Sequence, residues 1–215
     1  ESSAASDVYK RQPVGRPGRM SSKIKGDPFG ESDVLVNIQH TLNDVPGVLP
    51  TARAMSYFGE HALGWMGLAA LGAAVDKERR ISWAKVGVAA FTSHAASVVL
   101  KRIVRRPRPH DRRIAIGVGT PSKLSFPSSH ATSTTAALVG IAKLGYPAAP
   151  AVGVPAIMLS RLVLGVHYPT DVALGAALGT ATALAVDKIG DKVIEPKKAQ
   201  HNQGGQPSIA ERNAQ

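Results

Sequence analysis

No cysteine occurs in the 215 residues, which excludes disulfides, cysteine-ligated zinc and thiol catalysis while leaving the compartment open. Aromatic residues are scarce, at 5%, so the stacking platforms that hold single-stranded nucleic acid are not on offer. Acidic residues are also in the minority, 15 against 26 Lys and Arg, and the net charge is +11. The basic residues gather in the tails and around short Pro- and His-containing motifs, which favours anionic lipid or phosphate as the partner and argues against nucleic acid. No secretory h-region stands near the start. Long unbroken apolar runs are few, because Lys85, His94 and Lys143 interrupt stretches already short of the about 20 residues that cross a bilayer. A mean hydropathy near zero therefore averages polar ends against an apolar middle.

What is present divides the chain into four parts. Residues 1–30 mix Ser, Gly, Pro, Lys and Arg without apolar periodicity and read as a disordered basic arm, with Met20 a candidate start. Residues 31–58 follow as amphipathic, interfacial helices. Ser32 is placed as an N-cap, Val34, Leu35, Ile38 and Leu42 form an apolar stripe opposite Asn37, Gln39 and Asn43, and a second helix is expected over 51–58. The stripe suits a membrane surface or a bundle equally well. Five apolar runs, 61–75, 81–100, 131–144, 148–166 and 172–186, occupy a transmembrane domain over 59–193, and a polar tail over 194–215 reads as disordered. Small residues within the runs, among them Gly175 and Gly179, permit close helix packing in lipid and a homo-oligomer. The fold class expected is all-α, an integral-membrane bundle of about five transmembrane helices plus an N-terminal amphipathic helix.

Between the last two runs lies Ser160-Arg161-Leu-Val-Leu-Gly-Val-His167-Tyr-Pro-Thr-Asp171. Burying a cation, an imidazole and a carboxylate together is costly unless they act on something, and a phosphate fits. Arg161 presents a fork of donors matched to phosphate oxygens. A histidine four residues before an aspartate is spaced so that the carboxylate fixes the tautomer and leaves the other nitrogen free as a nucleophile. Pro169 is placed to open a helix. Two further stretches precede it: Lys101-Arg-Ile-Val-Arg-Arg-Pro-Arg108-Pro109 and Phe126-Pro127-Ser128-Ser129-His130. Taken singly, the basic cluster reads as a membrane-orienting flank, Ser128 and Ser129 as helix caps, and either histidine as structural. The ordered spacing of all three is what points to chemistry.

This ordered set, a lysine with six intervening residues before Arg-Pro, then Pro-Ser-Gly-His, then Ser-Arg with five intervening residues before His and three more before Asp, resembles the type 2 phosphatidic acid phosphatase superfamily. Ser129 is the departure, standing where that family usually has glycine. The resemblance implies that Lys101, Arg108 and Arg161, with Ser128 and the backbone N–H groups of Ser129 and His130, bind the phosphoryl group. It implies that His167 is the nucleophile, His130 the general acid/base and Asp171 the residue that orients His167, with neither cofactor nor metal. Glu60, His61 and Arg105 are flanking candidates for substrate contact, and His94, two turns before Lys101, reads as a packed, hydrogen-bonded residue. The membrane members of the family carry six core helices, so residues 33–58 stand in for one.

The function implied is hydrolysis of a lipid phosphate at the surface of the cell membrane by a multi-pass protein, through a phosphohistidine. Phe58-Gly-Glu-His61, His94-Ala-Ala-Ser97, Gly119-Thr-Pro-Ser122 and the run 162–171 resemble an actinobacterial branch of the family that acts on decaprenylphosphoryl-5-phosphoribose, giving decaprenylphosphoryl ribose for cell-wall arabinan. Undecaprenyl diphosphate and phosphatidylglycerophosphate phosphatases share the motifs. A vanadium haloperoxidase and a non-catalytic lipid-binding protein are the readings from other classes.

Overall fold

A computed structural model describes the backbone of residues 26–203 and the side chains of residues 26–193. Among the described residues the secondary structure is helical: α1 (Glu31–Leu42), α2 (Val48–Phe58), a 3-10 turn (Glu60–Ala62), α3 (Leu63–Val75), α4 (Arg80–Val104), α5 (Ser129–Lys143), α6 (Ala148–Val163) and α7 (Pro169–Gln203). Helices α3 to α7 coincide with the five apolar runs. Pro169 does open α7, where its missing N–H costs nothing. The first ten residues of the segment read as a tail continue α7, and residues 204–215 lie outside the described residues. Most of the expected N-terminal arm, residues 1–25, lies outside them too. Near its end Asp27 is buried, its carboxylate accepting from the N–H groups of Glu31 (2.6 Å) and Ser32 (2.8 Å).

That contact corrects the cap. Asp27 satisfies the first donors of α1 from outside the helix, and Ser32 lies one residue inside it. The stripe is corrected as well. Leu35 and Val36 are buried against Ile114 and Tyr168, whereas Val34 is exposed. Gln39, assigned to the polar face, is buried: its amide nitrogen donates to the carbonyls of Ala115 (2.7 Å) and Val163 (2.9 Å), and its oxygen accepts from Ala115 N–H (2.9 Å). A fully bonded amide can face a protein interior, so α1 packs on the bundle by a mixed face. Helix α2 begins three residues before the expected position, at Val48 after Gly47.

Helix α5 is central, with ten of its 15 residues buried. Ser128 N–H donates to the carbonyl of Asp171 (3.0 Å) at one end, and Lys143 pairs with Asp187 (2.5 Å) at the other, so α5 and α7 run parallel. Lys85 of α4 also reaches Asp187 (3.2 Å) and Asp191, which places α4 antiparallel to both. The two lysines that interrupt the apolar runs are thus paired with carboxylates of α7 at the end of the bundle remote from Lys101.

Helices α4 and α7 are long and apolar enough to cross a membrane, and only 28% and 22% of their most apolar windows are buried, unlike the core helices of a soluble protein. Their outward faces carry Val88, Phe91, Val99, Leu174 and Leu184. Helices α3, α5 and α6 have 13, 15 and 16 residues and fall short of a full span on their own.

Candidate active site

The loop 105–128 between α4 and α5 folds back on itself. Arg108 N–H donates to Lys123 O (3.3 Å) and Ser125 N–H to Arg106 O (2.8 Å), and a cis peptide joins Phe126 to Pro127. Ser128 then caps α5, its hydroxyl accepting from Ala131 N–H (3.4 Å), so the cap reading holds for Ser128 and not for Ser129, which lies inside the helix. Ser129 points to α4, where its hydroxyl is 2.7 Å from that of Ser97. His130 Nε2 donates to the carbonyl of Ser56 (2.9 Å), a bond that commits that nitrogen's proton to α2.

Three cations converge here. Lys101, at the end of α4, is buried and donates to the carbonyls of Ser125 (3.0 Å) and Pro127 (2.5 Å). Arg108 donates through Nε to Ser122 O (2.7 Å) and through Nη1 to Val166 O (2.7 Å), and Nη1 also lies 3.2 Å from His167 Nε2. Arg161 is 1% exposed, and its Nε and Nη1 have no hydrogen-bond partner. A guanidinium with two donors buried and unpartnered is expensive unless something accepts from them.

His167 and Asp171 are both buried, but they do not bond directly: His167 Nδ1 lies 3.7 Å from Asp171 Oδ2. The Ser125 hydroxyl intervenes, 3.4 Å from Nδ1 and hydrogen-bonded to Oδ2. Asp171 also accepts from Tyr168 N–H (2.8 Å) and from Arg106 Nη1 (2.9 Å), and Arg106 in turn pairs with Glu31 of α1. Ser125, Arg106 and Glu31 were not singled out from the sequence. Arg106 was indistinguishable there from its basic neighbours, and Glu31 is 140 residues from Asp171, with only a first-turn acid as signal.

The flanking candidates sit differently. Glu60 and His61 form the turn before α3, with His61 and Ala62 in left-handed backbone conformations, and Glu60 is close enough to act electrostatically on Arg161. His61 stacks obliquely on His94, with ring centroids 5.9 Å apart. His94 is not hydrogen-bonded as expected, since its Nδ1 is buried without a partner. Arg105 is exposed and closes α4 in a left-handed conformation, apart from the convergent cations. Among the described residues no group of three or more His, Asp or Glu is arranged to hold a metal ion.

The sequence profile of the PAP2 superfamily matches residues 82–194, from the first turn of α4 into α7. The chain belongs to the PAP2 superfamily. Within it, the chain is 60% identical over 148 residues to the decaprenylphosphoryl-5-phosphoribose phosphatase of Mycolicibacterium smegmatis, a match spanning 69% of this chain and 82% of the relative. It is 52% identical over 163 residues to the protein of that name in Mycobacterium tuberculosis, spanning 76% and 92%. The transmembrane PAP2-type phosphatidylglycerolphosphate phosphatase of Bacillus subtilis has the same fold, with a TM-score of 0.63 at 20% identity over 76% of this chain and 86% of that one.

In this PAP2 chain the three motifs meet because α4 ends, α5 begins, α6 ends and α7 begins at the same end of the bundle. Burial first, then the charges of Arg108, Arg161 and Lys101, hold His167 well below the ordinary histidine value. Burial lowers the Arg108 guanidinium to about 10 against the opposing pull of Asp171. Burial acts the same way on Arg106, but the hydrogen bonds and charges of Glu31 and Asp171 outweigh it and raise that group. His167 is therefore neutral, with a lone pair on the nitrogen that faces the cations.

Proposed function

We propose that the chain is a lipid phosphatase that hydrolyses decaprenylphosphoryl-5-phosphoribose to decaprenylphosphoryl ribose and phosphate. The observation that carries the chemistry is the contact between a neutral His167 Nε2 and Arg108, beside the unpartnered guanidinium of Arg161. The substrate rests on the 60% and 52% identical relatives that bear that name.

Phosphate monoesters are among the slowest bonds to hydrolyse, and enzymic acceleration reaches about 10²¹-fold, so charge stabilisation, a nucleophile and a leaving-group proton are all needed. Lys101, Arg108 and Arg161 bind the phosphoryl oxygens, with Ser128 and the N–H groups of Ser129 and His130 adding donors at the start of α5. His167 Nε2 attacks phosphorus as the bond to the ribose 5-oxygen breaks. With the phosphate bound, His130 takes up the substrate's proton on Nδ1 and becomes the imidazolium, and it returns that proton to the leaving oxygen, since Nε2 is committed to Ser56. His130 then takes a proton from the water that attacks the phosphohistidine and releases phosphate. Asp171 orients His167, and Glu60, His61 and Arg105 border the entry of the head group. Residues 59–193 form the catalytic unit, with α3 to α7 as five spans of the cell membrane. The outward apolar faces support this: they let a polyprenyl tail remain in hydrocarbon while the head group enters, and their small residues allow a homo-oligomer.

Phosphate release by the purified chain in detergent tests the reading, with decaprenylphosphoryl-5-phosphoribose, undecaprenyl diphosphate and phosphatidylglycerophosphate compared with and without chelator. Release should be fastest from the first and indifferent to chelator, and His167→Ala should abolish it. Full turnover by His167→Ala would end the phosphohistidine assignment, and preference for another lipid would replace the substrate.

A further inference from the structure

We propose that Ser125 and Glu31 are positioning residues for phosphoryl transfer: Ser125 Oγ holds the proton of His167 Nδ1, and Glu31 neutralises Arg106 so that the charge of Asp171 stays directed at the imidazole. The inference rests on the reading of His167 as nucleophile.

Donor and acceptor directions fix the chain of contacts. A guanidinium can only donate, so Arg108 Nη1 at 3.2 Å makes His167 Nε2 the acceptor, and the neutral ring carries its proton on Nδ1. The nearest acceptor for that proton is Ser125 Oγ at 3.4 Å, with Asp171 Oδ2 farther at 3.7 Å. Ser125 in turn donates to Asp171 Oδ2, because a carboxylate can only accept. One hydroxyl therefore receives from the ring and gives to the carboxylate, and this single orientation satisfies every group from Arg108 to Asp171. As Nε2 bonds to phosphorus the ring becomes positive, and the same alignment delivers the carboxylate's stabilisation to it through Ser125.

Glu31 sets the charge of this assembly. Arg106 bridges two carboxylates, Asp171 at 2.9 Å and Glu31. With Glu31 in place the three groups leave one net negative charge facing His167; without it Arg106 would cancel Asp171. Glu31 also accepts from Thr170 N–H (2.7 Å) and Thr170 Oγ1 (2.9 Å), which fastens α1 to the first turn of α7 beside Asp171. Helix α1 thereby belongs to the site, although it lies outside the three motifs.

The test uses the full chain in detergent with nitrogen-15 in its histidine rings, His167 being assigned by difference from His167→Ala. Wild type should show the Nδ1–H tautomer, which Arg108 keeps in every variant; the Nδ1 proton should resonate as a hydrogen-bonded N–H, Ser125→Ala should move it upfield, and Ser125→Thr should leave it in place. With decaprenylphosphoryl-5-phosphoribose, Ser125→Ala and Glu31→Gln should each lower kcat about 10- to 100-fold with KM little changed, the range for partners that orient a functional histidine. The phosphohistidine burst should shrink in parallel, and Glu31→Asp should recover most of the rate. An unchanged Nδ1–H resonance in Ser125→Ala, or full kcat in Glu31→Gln, would overturn the proposal. The nucleophile assignment fails separately, if His167→Ala still turns over. The Nδ1–H resonance decides the role of Ser125 whether or not this lipid is the substrate.

Discussion

The hydroxyls of Ser129 and Ser97 are hydrogen-bonded at 2.7 Å, joining the first residue of α5 to α4 at the position where the family motif usually carries glycine. The extra side chain is taken up by a helix contact, leaving the backbone N–H groups of the turn in place. Ser129→Gly should therefore keep kcat within about threefold while losing about 1 kcal/mol of stability, the usual net value of one such bond. Ser97 still reaches the carbonyl of His94 (2.7 Å), so no buried hydroxyl is stranded. Thermal midpoints in detergent and turnover of the two proteins check this, and a collapse of kcat would show that Ser129 itself serves the phosphate.

The motif residues were legible because chemistry that needs a cation, a histidine and a carboxylate at fixed offsets leaves those offsets in the chain. Lys101, Arg108, Ser128, Arg161 and His167 do meet. Helices α3 to α7 were legible from apolar runs. What the sequence hid was the contact partner: Gln39 looks polar in one dimension and is buried only because Ala115 and Val163 present backbone groups to it. The separation of His167 and Asp171 by Ser125 was hidden for a similar reason, since spacing of four residues says the two can approach but not what lies between them.

Gly179 bears on the packing of α7 against α5. A Cβ there would overlap the Thr132 carbonyl and come within 3.0 Å of the Thr135 Cβ, and one on Gly175 would come within 2.9 Å of the Ser128 carbonyl. Both neighbours include helix backbone, which cannot move aside singly. Gly179→Val should cost roughly 1–3 kcal/mol and displace Ser128 from Asp171, lowering turnover as well. Gly67→Ala supplies the contrast, because no atom lies within 4 Å of its added Cβ and helix propensity favours alanine. Equal midpoints for Gly179→Val and wild type would refute the close-packing account.

Stability should fall on the acid side of neutrality through His167. The group is held neutral in the fold, chiefly by burial and then by Arg108, Arg161 and Lys101, and takes its ordinary value when unfolded. Below that ordinary value, about 6.5, the unfolded chain binds the extra proton and the folded chain does not, so each further pH unit down to the folded value costs about 1.4 kcal/mol. Unfolding midpoints compared between pH 7 and pH 5 should drop less in His167→Asn, which cannot take up a proton, than in wild type. An identical drop in both would place the acid sensitivity elsewhere.

Arg161 offers a test in which stability and activity move in opposite directions. Its buried Nε and Nη1 lack partners, so in the free protein the charge is a cost that an apolar side chain of similar length would remove. Arg161→Met should raise the thermal midpoint, whereas a residue placed there for structure would lower it on truncation. The same change should reduce kcat/KM by at least about 10²-fold, the scale for losing one preorganised donor to a developing anion. Arg161→Lys keeps the charge but not the planar fork, and should fall between wild type and Arg161→Met in kcat/KM. Inorganic phosphate should raise the midpoint of wild type more than that of Arg161→Met, because a ligand stabilises only the fold that binds it. If midpoint and activity fell together in Arg161→Met, with no difference in the response to phosphate, the guanidinium would be holding the bundle together and would not be waiting for a phosphoryl group.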